Sequence, residues 1–258
     1  MISMTKKLII STRPQLEDDT LTQSLSGLGA MVIHAPLIQI LPVERSAILD
    51  DVFHQLGTYA HIIFTSRNGV KYFYDYAHRS GIPLEFNSNV QFSAVGRRTA
   101  DEFRKHCSLD LLVGSGTTSE DLLKQLLDTI VSPQRILLPV GNLAGAVLEE
   151  GLSPSNHITR LEIYRTQPVS NVQPEVMERI RQNAYDLIIF TSPSAVDALY
   201  STKGIGENFV QLRAACIGST TRGRAVELGI EPVLTASEPD GAVFAAEITE
   251  YLRTHKTQ

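Results

Sequence analysis

A chain of 258 residues has room for one large domain or two modest ones, and two are expected at about 100 to 200 residues per domain. Hydrophobic residues at 43% and charged residues at 20% exclude the charge-rich, apolar-poor signature of disorder, so a packed core is expected. With 28 acidic against 23 basic residues the net charge is -5, which argues against sequence-independent nucleic-acid binding and requires local cations for any anionic ligand.

Cys107 and Cys216 are too few for a disulfide framework and too isolated from the histidines for zinc-ligand spacing, which points to a reducing compartment. The first residues pass from two lysines into a short strand-like run without an export signal, and no apolar run approaches the roughly 18 residues of a membrane span. A cytoplasmic location is therefore expected.

Short β-rich runs alternate with helical periodicity along most of the chain, the pattern of parallel sheets covered by helices. The first strand is predicted over residues 8–11. Pro14 then opens a helix with Leu21, Leu25 and Leu28 on one face and Gly29 at its end, and residues 31–35 form the next strand. Residues 37–41 and 160–165 are strand-like but flanked by Pro36, Pro42 and Pro168, so they read as connectors. Between them lie predicted strands at 61–64, 91–95, 109–113 and 135–138, each followed by a helical pattern. Beyond Pro168 the alternation resumes, with strands at 186–190, 214–217 and 231–234.

The most informative feature is an internal repeat, because Ile62-Ile63-Phe64-Thr65-Ser66 recurs as Ile188-Ile189-Phe190-Thr191-Ser192. Downstream, Val95-Gly96-x-x-Thr99 parallels Ile217-Gly218-x-x-Thr221. The second copy lacks a full strand-helix-strand unit after its Gly-x-x-Thr, and residues 8–35 can supply it. The expected fold is α/β: two similar doubly wound, parallel-sheet domains joined by a two-stranded β connector. The first domain is discontinuous, 1–35 with 168–258; the second, 43–158, is inserted; residues 36–42 and 159–167 form the connector.

In open α/β sheets, ligands bind beyond the carboxyl ends of the strands, where helix N-termini present free N–H groups. Thr65-Ser66, residues 96–99, Thr191-Ser192 and residues 218–221 fall there, although each also suits a helix cap or a tight turn. Arg13, Arg67, Arg97, Arg98 and Arg222 lie near the same junctions, where guanidinium forks suit carboxylates, although an isolated surface arginine is more often simply solvated. Gly114-Ser115-Gly116-Thr117 lacks the third glycine of a dinucleotide fingerprint and the Gly-Lys of a P-loop. It reads as a loop into a helix, with Thr117 and Glu120 at capping-box spacing. The seven histidines are scattered, giving no metal site or His-based triad. Tyr164, on the returning connector, is a neutral donor at pH 7 if its hydroxyl faces a ligand, or a packing aromatic if it does not.

Taken in order, several short motifs resemble the uroporphyrinogen-III synthase family of tetrapyrrole biosynthesis across essentially the whole chain. They are Ser11-Thr12-Arg13-Pro14, the 36–42 connector, Phe64-Thr65-Ser66-x-Asn68-Gly69-Val70, Ala94-Val95-Gly96-x-x-Thr99-Ala100, Glu162-x-Tyr164-Arg165-Thr166, Phe190-Thr191-Ser192-Pro193-Ser194-Ala195-Val196 and Ile217-Gly218-x-Thr220-Thr221. The resemblance implies a lyase that closes hydroxymethylbilane into uroporphyrinogen III with loss of water and inversion of ring D, in a cleft between the domains and without metal or organic cofactor. Tyr164 matches the tyrosine proposed to assist loss of the hydroxyl group. Thr65, Ser66, Thr99, Ser192, Ser194, Thr220 and Thr221 match cleft positions; Arg213 stands where some members have lysine. Arg13, Gly96 and Gly218 join them as expected substrate-binding residues. Also expected are a cytoplasmic monomer, a transient contact with hydroxymethylbilane synthase, and neither nucleic-acid nor membrane partners. The alternative from another class is a cytoplasmic two-lobed binding or sensor module for a carboxylated metabolite, which the same fold would serve.

Overall fold

The computed structural model describes residues 7–14, 19–116, 118–130, 133–202 and 212–255. In chain order the elements begin with β1 (Leu8–Ser11), α1 (Thr20–Gly27), β2 (Met31–His34), β3 (Ile38–Pro42), α2 (Ala47–His54), β4 (His61–Phe64), α3 (Arg67–Ser80), β5 (Gln91–Ala94) and α4 (Gly96–Arg104). They continue with β6 (Leu111–Val113), α5 (Ser119–Thr129), β7 (Arg135–Gly141), α6 (Val147–Leu152), β8 (His157–Pro168), α7 (Pro174–Arg181), β9 (Leu187–Phe190) and α8 (Pro193–Tyr200). The last are β10 (Ala214–Cys216), α9 (Ser219–Glu227), β11 (Leu234–Thr235) and α10 (Gly241–Thr254).

The chain divides into two compact units, Met1–Gln39 with Gln167–Gln258, and Ile40–Thr166. One sheet has the order β11-β10-β9-β1-β2 and the other β3-β8-β7-β4-β5-β6. The pairs β11-β10, β10-β9, β9-β1 and β1-β2 are all parallel, as are β8-β7, β7-β4, β4-β5 and β5-β6. The orders correspond: β9 and β10 sit in the first sheet as β4 and β5 sit in the second, and β1-β2 flank β9 as β7-β8 flank β4. Residues at the start of the chain thus occupy the sheet positions that the second unit fills from its own end.

The repeated word forms the central strand of each sheet. In β9, Ile188 and Phe190 face one apolar cluster with residues of α7 and α8, while Leu187 and Ile189 face another with residues of α1 and α10. Ile62 and Phe64 of β4 likewise face the aromatic cluster of Phe53, Phe73, Phe92 and Phe103, and Ile63 faces Leu122, Leu126, Ile136 and Leu138. A strand covered on both faces by helices must be continuously apolar, which explains the lack of alternation in these words.

Several boundaries differ from the sequence expectation. Helix α1 starts at Thr20 behind Asp19, whose carboxylate accepts from the Thr22 N–H, so Pro14 does not open it. Leu21 and Leu25 are buried but Leu28 is 43% exposed, because the helix has ended before it. Gly29 takes φ +91° just beyond, a left-handed turn that glycine adopts without a Cβ penalty. The expected cap Thr117 lies outside the described residues. Thr118 caps α5, accepting from the Asp121 N–H and donating its hydroxyl to the Asp121 carboxylate. Strand β8 is longer than the connector expected over 159–167, and it lies beside both β3 and β7 in the second sheet. No helix among the described residues is long and apolar enough to cross a membrane.

Candidate active site

Both copies of the repeat place a serine two residues beyond the strand, in extended conformation, where its side chain caps the following helix. Ser66 accepts from the Gly69 N–H at 3.0 Å and Ser192 from the Ala195 N–H at 3.3 Å. Each cap satisfies one of the N–H groups left over at a helix start. The second hydrogen bond of each serine distinguishes the copies: Ser66 Oγ lies 3.1 Å from Tyr164 Oη, whereas Ser192 Oγ lies 3.0 Å from Ser194 Oγ.

Tyr164 therefore belongs to a built constellation in the second unit. Its strand runs parallel to β7, where an irregularity between Val140 and Gly141 shifts the register so that Gly141 stands opposite Tyr164. The phenol ring lies where a side chain at residue 141 would be, since an ideal Cβ there would meet Cζ at 2.4 Å and Cε2 at 2.5 Å. Tyr72 of α3 stacks on the ring with centroids 5.5 Å apart and planes 25° apart. Beyond it, Asn142 donates to the Thr166 carbonyl at 3.1 Å and accepts from the Thr166 N–H at 2.8 Å, tying the loop after β7 to β8. Burial raises the Tyr164 hydroxyl above its usual value near 10, and the hydrogen bond with Ser66 acts in the opposite direction. The group is a neutral phenol at pH 7, able to donate a proton and unable to accept one as a base.

The two Gly-x-x-Thr motifs open α4 and α9, and neither helix has a side-chain hydrogen bond from its N-cap residue. Thr99 and Thr221, at the equivalent third step, are both buried. Gly96 holds φ +71°, which demands glycine, whereas Gly218 at φ -178° is ordinary extended backbone. Thr65 is half-buried beside Ser66, and Thr220 is exposed on the first turn of α9.

Arg13 and Arg213 are placed differently from these residues. Arg13 pairs with Asp19 at 2.9 Å, both side chains largely buried, and so supports the cap of α1. Arg213 precedes β10, at the opposite end of that strand from Gly218. Its guanidinium donates to the carbonyls of Asn183, Tyr185 and Asp186 and lies over the Tyr185 ring, which secures the turn after α7. The structure does not bring Arg213 together with the residues at the strand carboxyl ends.

A family model described as uroporphyrinogen-III synthase HemD matches residues 19–243. The chain belongs to the uroporphyrinogen-III synthase family. Among relatives, the uroporphyrinogen-III synthase of Chlorobaculum parvum is 26% identical over 251 residues, covering 96% of this chain and 100% of that one. The porphyrin biosynthesis protein HemD of Ruminiclostridium josui is 25% identical over 228 residues, 88% of this chain; the match spans 45% of that longer protein. The fold is also that of a solved family member, a mutant uroporphyrinogen III synthase from the extremely thermophilic bacterium Thermus thermophilus, with TM-score 0.71 at 18% identity, covering 96% of this chain and 100% of that one.

Set beside the family motifs, the residues that surround Tyr164 divide in two. Ser66 and Gly69 stand inside a recognisable word, but Tyr72, Gly141 and Asn142 do not. Tyr72 carried one usable signal, its i, i+3 relation to Gly69, which puts both on the same face of α3. Gly141 carried none, because its role depends on a strand neighbour that only the sheet defines.

Proposed function

We propose that the protein closes hydroxymethylbilane into uroporphyrinogen III, releasing the hydroxyl group as water and inverting ring D. The family match over residues 19–243 supports the activity and favours an enzyme over the two-lobed binding module. In the proposed mechanism the Tyr164 phenol donates to the departing hydroxyl as the electrophilic azafulvene forms. The proton released when the attacked pyrrole regains its aromaticity restores the balance, so only water leaves. Support for this role comes from the neutral, half-buried phenol and from its fixed partners Ser66 and Tyr72.

The substrate is reactive enough to close by itself to the uninverted isomer, so most of the enzyme's task is to hold one geometry. Its eight carboxylates need many weak, well-placed donors. We assign that role to the first turns of α4 and α9 at Gly96 and Gly218 and to the hydroxyls of Thr65, Ser66, Thr99, Ser192, Ser194, Thr220 and Thr221. Arg13 and Arg213, engaged with protein partners, serve the scaffold of this site. The duplicated sheets support a division into domains 1–35 with 168–258 and 43–158, and the short life of the bilane in water favours direct transfer from the upstream synthase to a monomeric enzyme.

The test is to supply hydroxymethylbilane to the purified protein and identify the product isomer. Predominantly type III product is expected, unchanged by a chelator; type I alone from folded protein would reject the activity.

A further inference from the structure

Tyr72 lies outside every family word, yet it is held more firmly than a surface aromatic on a helix needs to be. Its hydroxyl donates to the Ile40 carbonyl of β3 at 3.0 Å, and its ring stacks on Tyr164. Two glycines make this arrangement possible. At Gly69 an ideal Cβ would come within 2.8 Å of the Pro139 carbonyl oxygen, so the absent side chain lets α3 approach β7. At Gly141 the absent side chain gives the Tyr164 ring its space. Ser66 and Tyr72, from the cap and the second turn of one helix, thus meet one phenol, and Gly69 between them lets that helix lie close to β7.

We propose that Tyr72 is a positioning residue for Tyr164: stacked on its ring and anchored to the Ile40 carbonyl, it holds the phenol in the orientation that meets Ser66. A phenol has a long lever arm, and rotation about χ1 or χ2 would carry the ring away from that orientation. The Ser66 hydrogen bond fixes the oxygen but leaves the ring plane free, and the Tyr72 face fixes the plane. Aromatic pairs of this kind contribute energy beyond their buried area, and a small misplacement of a catalytic group is costly in rate. The proposal rests on the assignment of Tyr164 as the proton donor, and its test separates the two.

Protein labelled at tyrosine Cζ carries eight tyrosines, and the resonance lost in Tyr164→Phe identifies Tyr164. In Tyr72→Leu we expect that resonance to shift and the hydroxyl to titrate at lower pH as water reaches it. Turnover should fall about tenfold or more with KM within about twofold. Tyr72→Phe, which keeps the ring, should restore most of the turnover and the resonance. If Tyr72→Leu does not fold, Tyr72→Met fills more of the ring's volume and serves the same purpose. In a Tyr164→Phe background, Tyr72→Leu should have under about twofold further effect, since residues that act as one unit are not additive. An unmoved Tyr164 resonance in a folded Tyr72→Leu or Tyr72→Met protein, or fully additive losses, would overturn the proposal. Full turnover in Tyr164→Phe would instead remove the donor assignment, and the resonance would still decide whether Tyr72 holds the ring.

Discussion

The two copies of the repeated word form the same strand and the same serine cap, yet their surroundings have diverged at each neighbouring position. His61 precedes the word in the second unit where Leu187 precedes it in the first, and both side chains are buried. On the adjacent strands Ser93 is in register with Ile63 and Ala215 with Ile189; Ser93 reaches diagonally to His61, while Ala215 lies in one apolar cluster with Leu187, so a polar couple in one unit corresponds to an apolar one in the other. Past the cap, Gly69 corresponds to Ala195. The residue that meets the capping serine is Tyr164 in one unit and Ser194 in the other. The duplicated part sets where a ligand can be met, and the diverged part sets what can be done to it.

The sharpest way to break this contrast is at Tyr164, the group that has no phenol counterpart at Ser192. Tyr164→Phe keeps the stacking on Tyr72 and removes the donor. We expect turnover to fall roughly ten- to several-hundred-fold, about 1.4 to 3.5 kcal/mol of barrier, with thermal stability little altered and the residual product mostly type III. Wild-type turnover in the folded variant would leave the two junctions chemically alike.

The next effect is on stability. His61 Nε2 lies 2.8 Å from Ser93 Oγ, its Nδ1 has no hydrogen-bond partner among the described residues, and burial lowers its pKa from 6.5 to about 4. Below pH 6.5 the unfolded chain takes up a proton that the folded state refuses until about pH 4. Stability therefore falls as pH drops through that window, by about 3 kcal/mol in total. Above pH 6.5 this group has no effect. The double variant His61→Leu, Ser93→Ala, which copies the other unit, should be less sensitive to acid by about 2 kcal/mol at about pH 4.5 in urea titrations. An equal loss in both proteins would show that His61 is not what couples this fold to pH.

Exchange at the third helical position should harm both units for opposite reasons. Gly69→Ala gains helix propensity but drives a methyl group into the Pro139 carbonyl, for a net loss of about 1 to 2 kcal/mol. Ala195→Gly meets no clash and loses about 1 kcal/mol of helix propensity. A stabilised Gly69→Ala protein, judged by its urea midpoint, would show that α3 does not sit tightly on β7.

The smallest expected contrast lies in the two Gly-x-x-Thr motifs. Gly96→Ala should cost about 1 to 2 kcal/mol because φ is +71°, whereas Gly218→Ala in extended backbone should change stability by less than about 0.5 kcal/mol. Equal losses in the same denaturant series would mean that the two turns share one conformation.

The α/β class, most strand positions and the duplication were legible in the sequence, because strands buried on both faces must be continuously apolar and because an identical word marks equivalent sites; the short edge strand expected at 231–234 instead covers Leu234–Thr235. The caps at Ser66 and Ser192 were among the roles those residues suit, since capping is a local interaction over a few residues. Local rules failed at the first helix, where the Asp19 carboxylate and not Pro14 marks the start of α1. Arg13 was expected to meet a ligand from its place after the first strand and Arg213 from the family resemblance alone; Asp19 and the carbonyls after α7, which engage them, are visible only in the folded molecule. Tyr164 could be singled out by residue type and motif, but not its company. Gly141 lies 23 residues before it and Tyr72 lies 92 before it, and both reach the phenol only because β7, β8 and α3 are packed together. Side-chain chemistry is written residue by residue, while the room around a side chain is set by strands and helices distant in sequence, so the former could be read directly and the latter had to be built.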